Sequence, residues 1–350
     1  MKKLTYIKQE KIISFITKIT KKLNLKKKDN DFLIKSLVGS SMRGVDSHGI
    51  RLLPHYLKCL EQGRININPK MTFKLNMPSV GLLDADNGLG HSAAYLGSMK
   101  AIDIAKKNGV GIVGIINSSH YGAAGAYSLN IAEKGFIGLC FTHSDALGIP
   151  FNGYKKFHGT NPYSFSAPLK KRKPLLVDFS TTLIPWNKVK RAKNNKKKLI
   201  KGVTMDKKGN ITTDPNLAKT LVPLGGKFFG HKGFALSSSI EILCGPFLGM
   251  LHGFRLLPMH GPNFSTPRKL GHFVMAINIK SIVSKKEYFS NIENYIKDLK
   301  KQKSKNDKIL YPGEKEWLEE ANRKKNGIPF DLELEQLFLK ISKKYKVNLF

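Results

Sequence analysis

Acidic residues are scarce in this chain: 25 Asp and Glu stand against 60 Lys and Arg in 350 residues, a formal net charge of +35. Cysteine is scarcer still. Cys59, Cys140 and Cys244 lie far apart in apolar surroundings with no C-x-x-C pairing. That excludes a disulfide framework and a thiolate metal site, and reads as small core residues in a reducing, cytoplasmic compartment. Neither H-E-x-x-H nor G-x-S-x-G occurs, so no metal site and no serine-hydrolase elbow are expected. Long apolar runs are missing too. The best, 240–251, is short, follows Ser237 to Ser239 and contains Glu241, so no membrane span is expected. Lysines at 8, 11, 18, 21 and 22 break up the amino terminus, which reads as an amphipathic helix burying Ile12, Phe15, Ile16, Ile19 and Leu23 rather than as a signal peptide.

The excess of positive charge raises nucleic-acid or anionic-membrane binding. Its distribution argues the other way. The lysines gather in 21–28, 188–201 and 297–308, mixed with Asn and short of aromatic residues that could stack on bases, as solvated faces do. A basic nucleic-acid-binding or scaffolding protein stays as the rival from another class.

The length suits a large core, divided between two lobes. Apolar spacing predicts helices over 7–24 and 30–42, then a helix opening near Leu53, with Leu53, Tyr56, Leu57 and Leu60 on one face. A polar connection with Pro69 and Pro78 follows. From Gly90 the pattern alternates: helix 91–107, strand 110–117, helix 123–134, strand 136–142, the texture of a sheet covered by helices. Strands are also expected at 175–179 and 272–279, and helices at 233–251, 285–301, 314–325 and 331–346. Gly109 to Gly114 matches G-x-G-x-x-G letter for letter. A helix precedes it and a strand follows, the reverse of a dinucleotide fingerprint, so these glycines end one element and let the next pack closely.

Chemistry-bearing residues fall at the ends of these elements. Asp46-Ser47-His48-Gly49 with Arg51 sets an imidazole three residues from a guanidinium, one able to exchange a proton near neutral pH, the other to hold a carboxylate through paired hydrogen bonds. Ser119-His120-Tyr121-Gly122 closes a buried strand, Thr142-His143-Ser144-Asp145 a second and Asp178-Phe179-Ser180-Thr181-Thr182 a third, with His158-Gly159-Thr160-Asn161-Pro162 in a turn between them. Polar strand ends of this kind line one crevice. Two histidines, one arginine and glycine-bordered loops without a metal fit proton transfer coupled to hydride transfer.

Taken in order, these motifs together with Thr212-Thr213-Asp214-Pro215, Lys232-Gly233-Phe234 and Tyr311-Pro312-Gly313-Glu314 resemble the type 2 malate/L-lactate dehydrogenase family from about residue 5 to 330. That family also holds ureidoglycolate, sulfolactate, diketogulonate and piperideine-2-carboxylate oxidoreductases. The resemblance implies a non-Rossmann, nicotinamide-binding α/β domain with a mixed sheet over 76–285. It also implies a helical domain built from 1–75 and 286–350, and a homodimer. It implies an NAD(P)-dependent dehydrogenase acting on a small carboxylate, a 2-hydroxy acid, with NAD favoured over NADP, or alternatively a reductase of a cyclic imine. His120 is expected to transfer the proton with His48 second, Arg51 to clamp the substrate carboxylate, and Ser47 and Thr160 to join it there. Ser144, Asp178, Phe179, Ser180, Lys232, Pro312, Gly313 and Glu314 match segments that contact the cofactor in relatives. His143 departs from the family, where many members have Asn.

Overall fold

The computed structural model describes residues 4–305 and 307–350. In chain order the elements are β1 (Thr5–Ile7), α1 (Gln9–Lys22), α2 (Lys27–Met42), α3 (Leu53–Glu61), β2 (Thr72–Met77), β3 (Val80–Asp84), α4 (Gly90–Asn108) and β4 (Val110–Ser118). Then come α5 (Gly125–Ala132), β5 (Phe136–Thr142), β6 (Tyr163–Ala167), β7 (Leu175–Phe179), α6 (Trp186–Asn194), β8 (Thr204–Met205) and β9 (Thr220–Leu221). The chain ends with α7 (Gly226–Cys244), β10 (Leu270–Asn278), α8 (Lys285–Lys301), α9 (Glu314–Asn326), β11 (Ile328–Phe330) and α10 (Leu332–Tyr345).

A seven-stranded sheet in the order β2-β3-β4-β10-β5-β6-β7 organises the middle of the molecule. Only β3 and β4 pair in parallel; every other neighbouring pair runs antiparallel. The sheet is therefore mixed, as expected. One consequence places the site: β3, β4, β5 and β7 point the same way, so their carboxyl ends share one edge with the starts of β6 and β10.

The two chain ends share a core. Ile12, Phe15, Ile16 and Ile19 of α1 pack with Leu33 and Leu37 of α2, Leu53 and Tyr56 of α3, and Leu334, Phe338 and Ile341 of α10. Strand β1 pairs with β11 and ties the termini together, and the Asp331 carboxylate accepts from the Leu334 N–H to start α10. Helix α8 does not join them. Its Ile296 packs with Leu175 of β7, Ala167 of β6 and Tyr311, so of the expected 286–350 return only the part from α9 onward, whose Arg323 donates to the Ser41 carbonyl of α2, reaches the amino-terminal helices.

Four elements differ from the sequence reading for identifiable reasons. Strands β2 and β3 occupy the stretch read as a polar connection, because β2 is an edge strand whose Lys74, Asn76 and Met77 stay exposed and give no apolar alternation. Strand β6 alternates serine instead of leucine: Ser164 and Ser166 are fully buried and both hydroxyls bond Ser128 Oγ at 2.7 Å. Helix α7 begins seven residues before 233 and ends at Cys244, since Gly245 and Pro246 turn the rest of the apolar run into a 3-10 turn.

The glycines of 109–114 act as read. Gly109 ends α4 with φ +81° and Gly111 lets α4 lie against β4, where an added Cβ would stand 2.1 Å from the Ala101 carbonyl oxygen. Backbone cannot yield there as a side chain would. Gly111→Ala is therefore expected to lower the unfolding free energy by about 1–3 kcal/mol, read from urea denaturation of the variant.

Candidate active site

A cavity of about 680 Å³ opens along the sheet edge where those strand ends meet. His48 and Ser47 reach it from the turn before α3, His120 from the end of β4, Ser144 and Asp145 from the end of β5, Thr160 from the turn before β6, and Asp178, Phe179 and Ser180 from the end of β7. Trp186 and Asn187 of α6 form another wall, with Pro258, Met259 and His260 from the loop before β10.

His48 and His120 lie with ring centroids 6.1 Å apart and planes 19° from parallel. His120 is held from behind: its Nδ1 meets Tyr56 Oη at 2.6 Å, and the Gly122 N–H faces the same nitrogen at 3.4 Å. Nε2 is thereby left for the cavity. His48 Nδ1 meets Ser47 Oγ at 3.0 Å. Burial lowers the pKa of both rings, to about 4 for His48 and well below the usual value for His120, where His48, His55 and Arg268 add to the effect. Both are neutral imidazoles at neutral pH.

The edge is pinned by two further buried histidines. His272 bridges the ends of β5 and β4, its Nδ1 to Thr142 Oγ1 at 2.7 Å and its Nε2 to Ser118 Oγ at 2.8 Å, while its ring stacks on Tyr121. His143 accepts the Gly271 N–H at Nε2, 2.9 Å, so the proton is on Nδ1, which donates to Glu241 Oε1 at 3.0 Å. Glu241 also accepts from Asn161 Nδ2 at 2.7 Å and from the Gly253 N–H at 2.7 Å. Burial pushes its carboxyl up, and these donors bring it back below the ordinary carboxylate value. Asp178, half-buried beneath the start of α5, is pushed up to about 6 by desolvation, against one hydrogen bond from the Gly125 N–H at 2.9 Å.

Of the residues singled out from sequence, His48, His120, Ser47, Thr160, Ser144, Asp178, Phe179 and Ser180 are brought together on this cavity. Arg51 is not. Its guanidinium pairs with Asp331 and lies 3.8 Å from Glu333, because the turn after His48 directs it to the start of α10. It anchors the His48 segment instead of lining the cavity. Lys232 is exposed on α7 with its Nζ 5.4 Å from the Phe229 ring centre. Pro312, Gly313 and Glu314 brace the sheet edge: the Pro312 carbonyl accepts from Leu176 N–H, Gly313 (φ +91°) packs on Leu176, and Glu314 pairs with Lys300 and bonds the Tyr311 N–H. Tyr56, which meets His120 Nδ1, was hidden in the sequence, since its place on the apolar face of α3 reads as core. No group of His, Cys, Asp and Glu able to hold a metal is present among the described residues, and no helix among them is long and apolar enough to cross a membrane.

These histidines have a measurable consequence. His48 near 4 and His55, His91 and His272 near 3 all sit below their unfolded value of 6.5, so the unfolded chain binds more protons in that interval. Their contribution to stability is complete above about pH 6.5 and is lost as pH falls toward 4. Thermal melting from pH 7 to pH 4 is expected to show a steadily falling midpoint, with imidazole NMR showing no titration of His48 above pH 5.

Comparison with known proteins agrees with this architecture. The family model described as malate/L-lactate dehydrogenase matches residues 7–337. A malate dehydrogenase of Pyrococcus abyssi is 33% identical over 331 residues, 92% of this chain and 90% of that protein. A malate/(S)-sulfolactate dehydrogenase of Methanothermus fervidus is 31% identical over 98% of this chain and 99% of its own length. The solved structure of malate dehydrogenase from Pyrococcus horikoshii OT3 superposes with a TM-score of 0.91 at 32% identity, covering 100% of this chain and 98% of that one. A shared fold over the full length, a family match spanning almost all of it and the histidine pair on the strand-end cavity lead to one conclusion: this chain belongs to the malate/L-lactate dehydrogenase family.

Proposed function

We propose that the protein is a nicotinamide-dependent dehydrogenase interconverting a small 2-hydroxy acid and its 2-oxo acid, with His120 as the proton-transfer residue. One observation carries this: two neutral imidazoles face one cavity side by side, and Tyr56 holds the rear nitrogen of His120 at 2.6 Å.

The residues present fit a nicotinamide cofactor. The cavity volume of about 680 Å³ lies within the usual range for such ligands. Its walls pair flat apolar surfaces, Phe179, Trp186, Leu183 and Leu224, with the hydroxyls of Ser144, Ser180 and Thr182 and the carboxyl of Asp178. These are the groups that would hold it, and when bound it supplies or accepts the hydride. Lys156 is the single Lys or Arg on the lining among the described residues. With no guanidinium fork there for a ribose 2′-phosphate, the lining supports NAD over NADP.

The chain's own chemistry is the proton. In oxidation, His120 takes the hydroxyl proton on Nε2 in the neutral tautomer whose Nδ1–H donates to Tyr56 Oη, not the one that accepts the long Gly122 N–H contact. In reduction the doubly protonated ring returns it to the oxo oxygen. Nδ1 carries a proton in both states and the phenol oxygen accepts from it, so Tyr56 serves His120 in each. Ser47 and Thr160 offer hydroxyls to the substrate carboxylate, and His48 a second orienting nitrogen. Three free, buried cysteines support a reducing cytoplasmic setting. The exposed Phe228, Phe229, Ile242, Phe247, Leu251 and Phe254 on α7 and the turns after it support burial of that face in a homodimer.

Following NADH and NADPH absorbance with 2-oxo and 2-hydroxy acids tests the reading. His120→Ala is expected to lower kcat/KM by about 10²–10⁴-fold. Tyr56→Phe is expected to lower it by roughly tenfold and to shift the pH profile, as loss of one hydrogen bond to the reacting ring would. Neutralising Lys196, Lys197 and Lys198 together is expected to leave turnover within about twofold, since surface charges away from the site act weakly. Loss of turnover in that triple variant, with His120→Ala fully active, would sink the assignment.

A further inference from the structure

His48 reaches the cavity from a single 3-10 turn, Asp46–His48, and its own bonds are local: Nδ1 to the adjacent Ser47 Oγ, and the backbone N–H to the Val45 carbonyl at 3.1 Å. One turn of this kind does not hold a ring in place by itself. The ties that fix it come from far along the chain. The Ser47 carbonyl accepts from Asn187 Nδ2 of α6 at 2.8 Å, and Arg51 pairs with Asp331 at the start of α10.

The third tie is the buried one. Arg323 of α9 closes its guanidinium fork on the Asp46 carboxylate, Nη1 to Oδ1 at 2.6 Å and Nη2 to Oδ2 at 3.0 Å, while Nη1 also donates to the Ser41 carbonyl at 2.6 Å and Nε to Glu319. Its side chain is 7% exposed against 34% for Asp46, so the guanidinium is the fixed half of the pair and the turn is brought to it. Burial disfavours the charge on Arg323, and the two carboxylates more than restore it. Ser41 carries the grip to the other end of the turn: its Oγ accepts from the Ile50 N–H at 3.0 Å, and an added Cβ at Gly49 would stand 2.1 Å from that oxygen. A planar fork of this kind fixes direction as well as distance.

We infer that Arg323 is a positioning residue for His48: by holding Asp46 directly and Ile50 through Ser41, it sets where the His48 ring stands beside His120. The inference rests on the orienting place given to His48 in the dehydrogenase reading above. It extends that reading to α9, none of whose described residues lines the cavity. The two rings lie 6.1 Å apart and 19° from parallel, and a displacement of about 1 Å in such a site costs on the order of 10²-fold in rate.

Arg323→Met and Arg323→Lys, each made in the wild type and in His48→Ala, test this by turnover of a 2-oxo acid with NADH, thermal melting and imidazole NMR. Arg323→Met is expected to lower kcat/KM about 10–100-fold in the wild type but less than about twofold in His48→Ala, while lowering the melting midpoint alike in both. Arg323→Lys keeps the charge without the fork and is expected to recover only part of the turnover. Burial alone takes the His48 pKa down to about 4, so a ring released by Arg323→Met is expected to titrate higher. Asp46→Asn loosens the same fork from its less buried side and is expected to follow the same pattern, which keeps the test open if Arg323→Met does not fold. Equal losses of turnover in the two backgrounds overturn the inference and make Arg323 a residue of stability alone, as does an unchanged His48 titration in a folded variant. Turnover of no 2-oxo acid by the wild type overturns the dehydrogenase reading, and the His48 titration then decides the place of Arg323 without substrate.

Discussion

The cavity depends on one buried carboxylate. Glu241, 4% exposed, accepts hydrogen bonds from His143, Asn161 and the Gly253 backbone. An ionised carboxylate out of water costs several kcal/mol unless donors surround it, so these partners have to arrive together. Each belongs to a different loop at the sheet edge. His143 precedes Ser144, Asn161 follows Thr160, and Gly253 lies against the Ser144 carbonyl. Satisfying Glu241 therefore fixes the walls that present Ser144 and Thr160. The Gly271 N–H adds the start of the central strand β10 to the set through His143.

The sheet topology gives this network its setting. Because β10 runs against both β4 and β5, the ends of those two strands lie on either side of its start. His272 closes the gap with one ring bonded to both. His120 and Ser144 are then presented at the ends of paired strands, a placement that suits the proton-transfer role proposed for His120. Burial, with positive charge on the loop side from Arg64, Arg268 and Lys190, lowers the pKa of His55 and His260.

Much of the site was legible because strand ends announce themselves. His120 follows an apolar run with turn residues behind it, and Asp178 does the same after Leu175 to Val177. Helices α1, α4, α8 and α10 follow apolar spacing and fall within a few residues of the expected bounds. Strand β6 was hidden because its inward residues are serines satisfied by another serine. Arg51 shows what spacing leaves out: three residues from a histidine in sequence, it is turned by the backbone toward Asp331, 280 positions away.

The sequence by itself determined the element order, the buried faces of the terminal helices, and which loops carry polar groups at strand ends, since each follows from local periodicity and turn chemistry. Only the tertiary structure decided who meets whom. Tyr56 behind His120, Glu241 with Asn161 and Lys190 near His260 join residues 64, 80 and 70 positions apart. No local pattern records such pairings, because burial of a polar group is satisfied by whichever donor the fold brings to it.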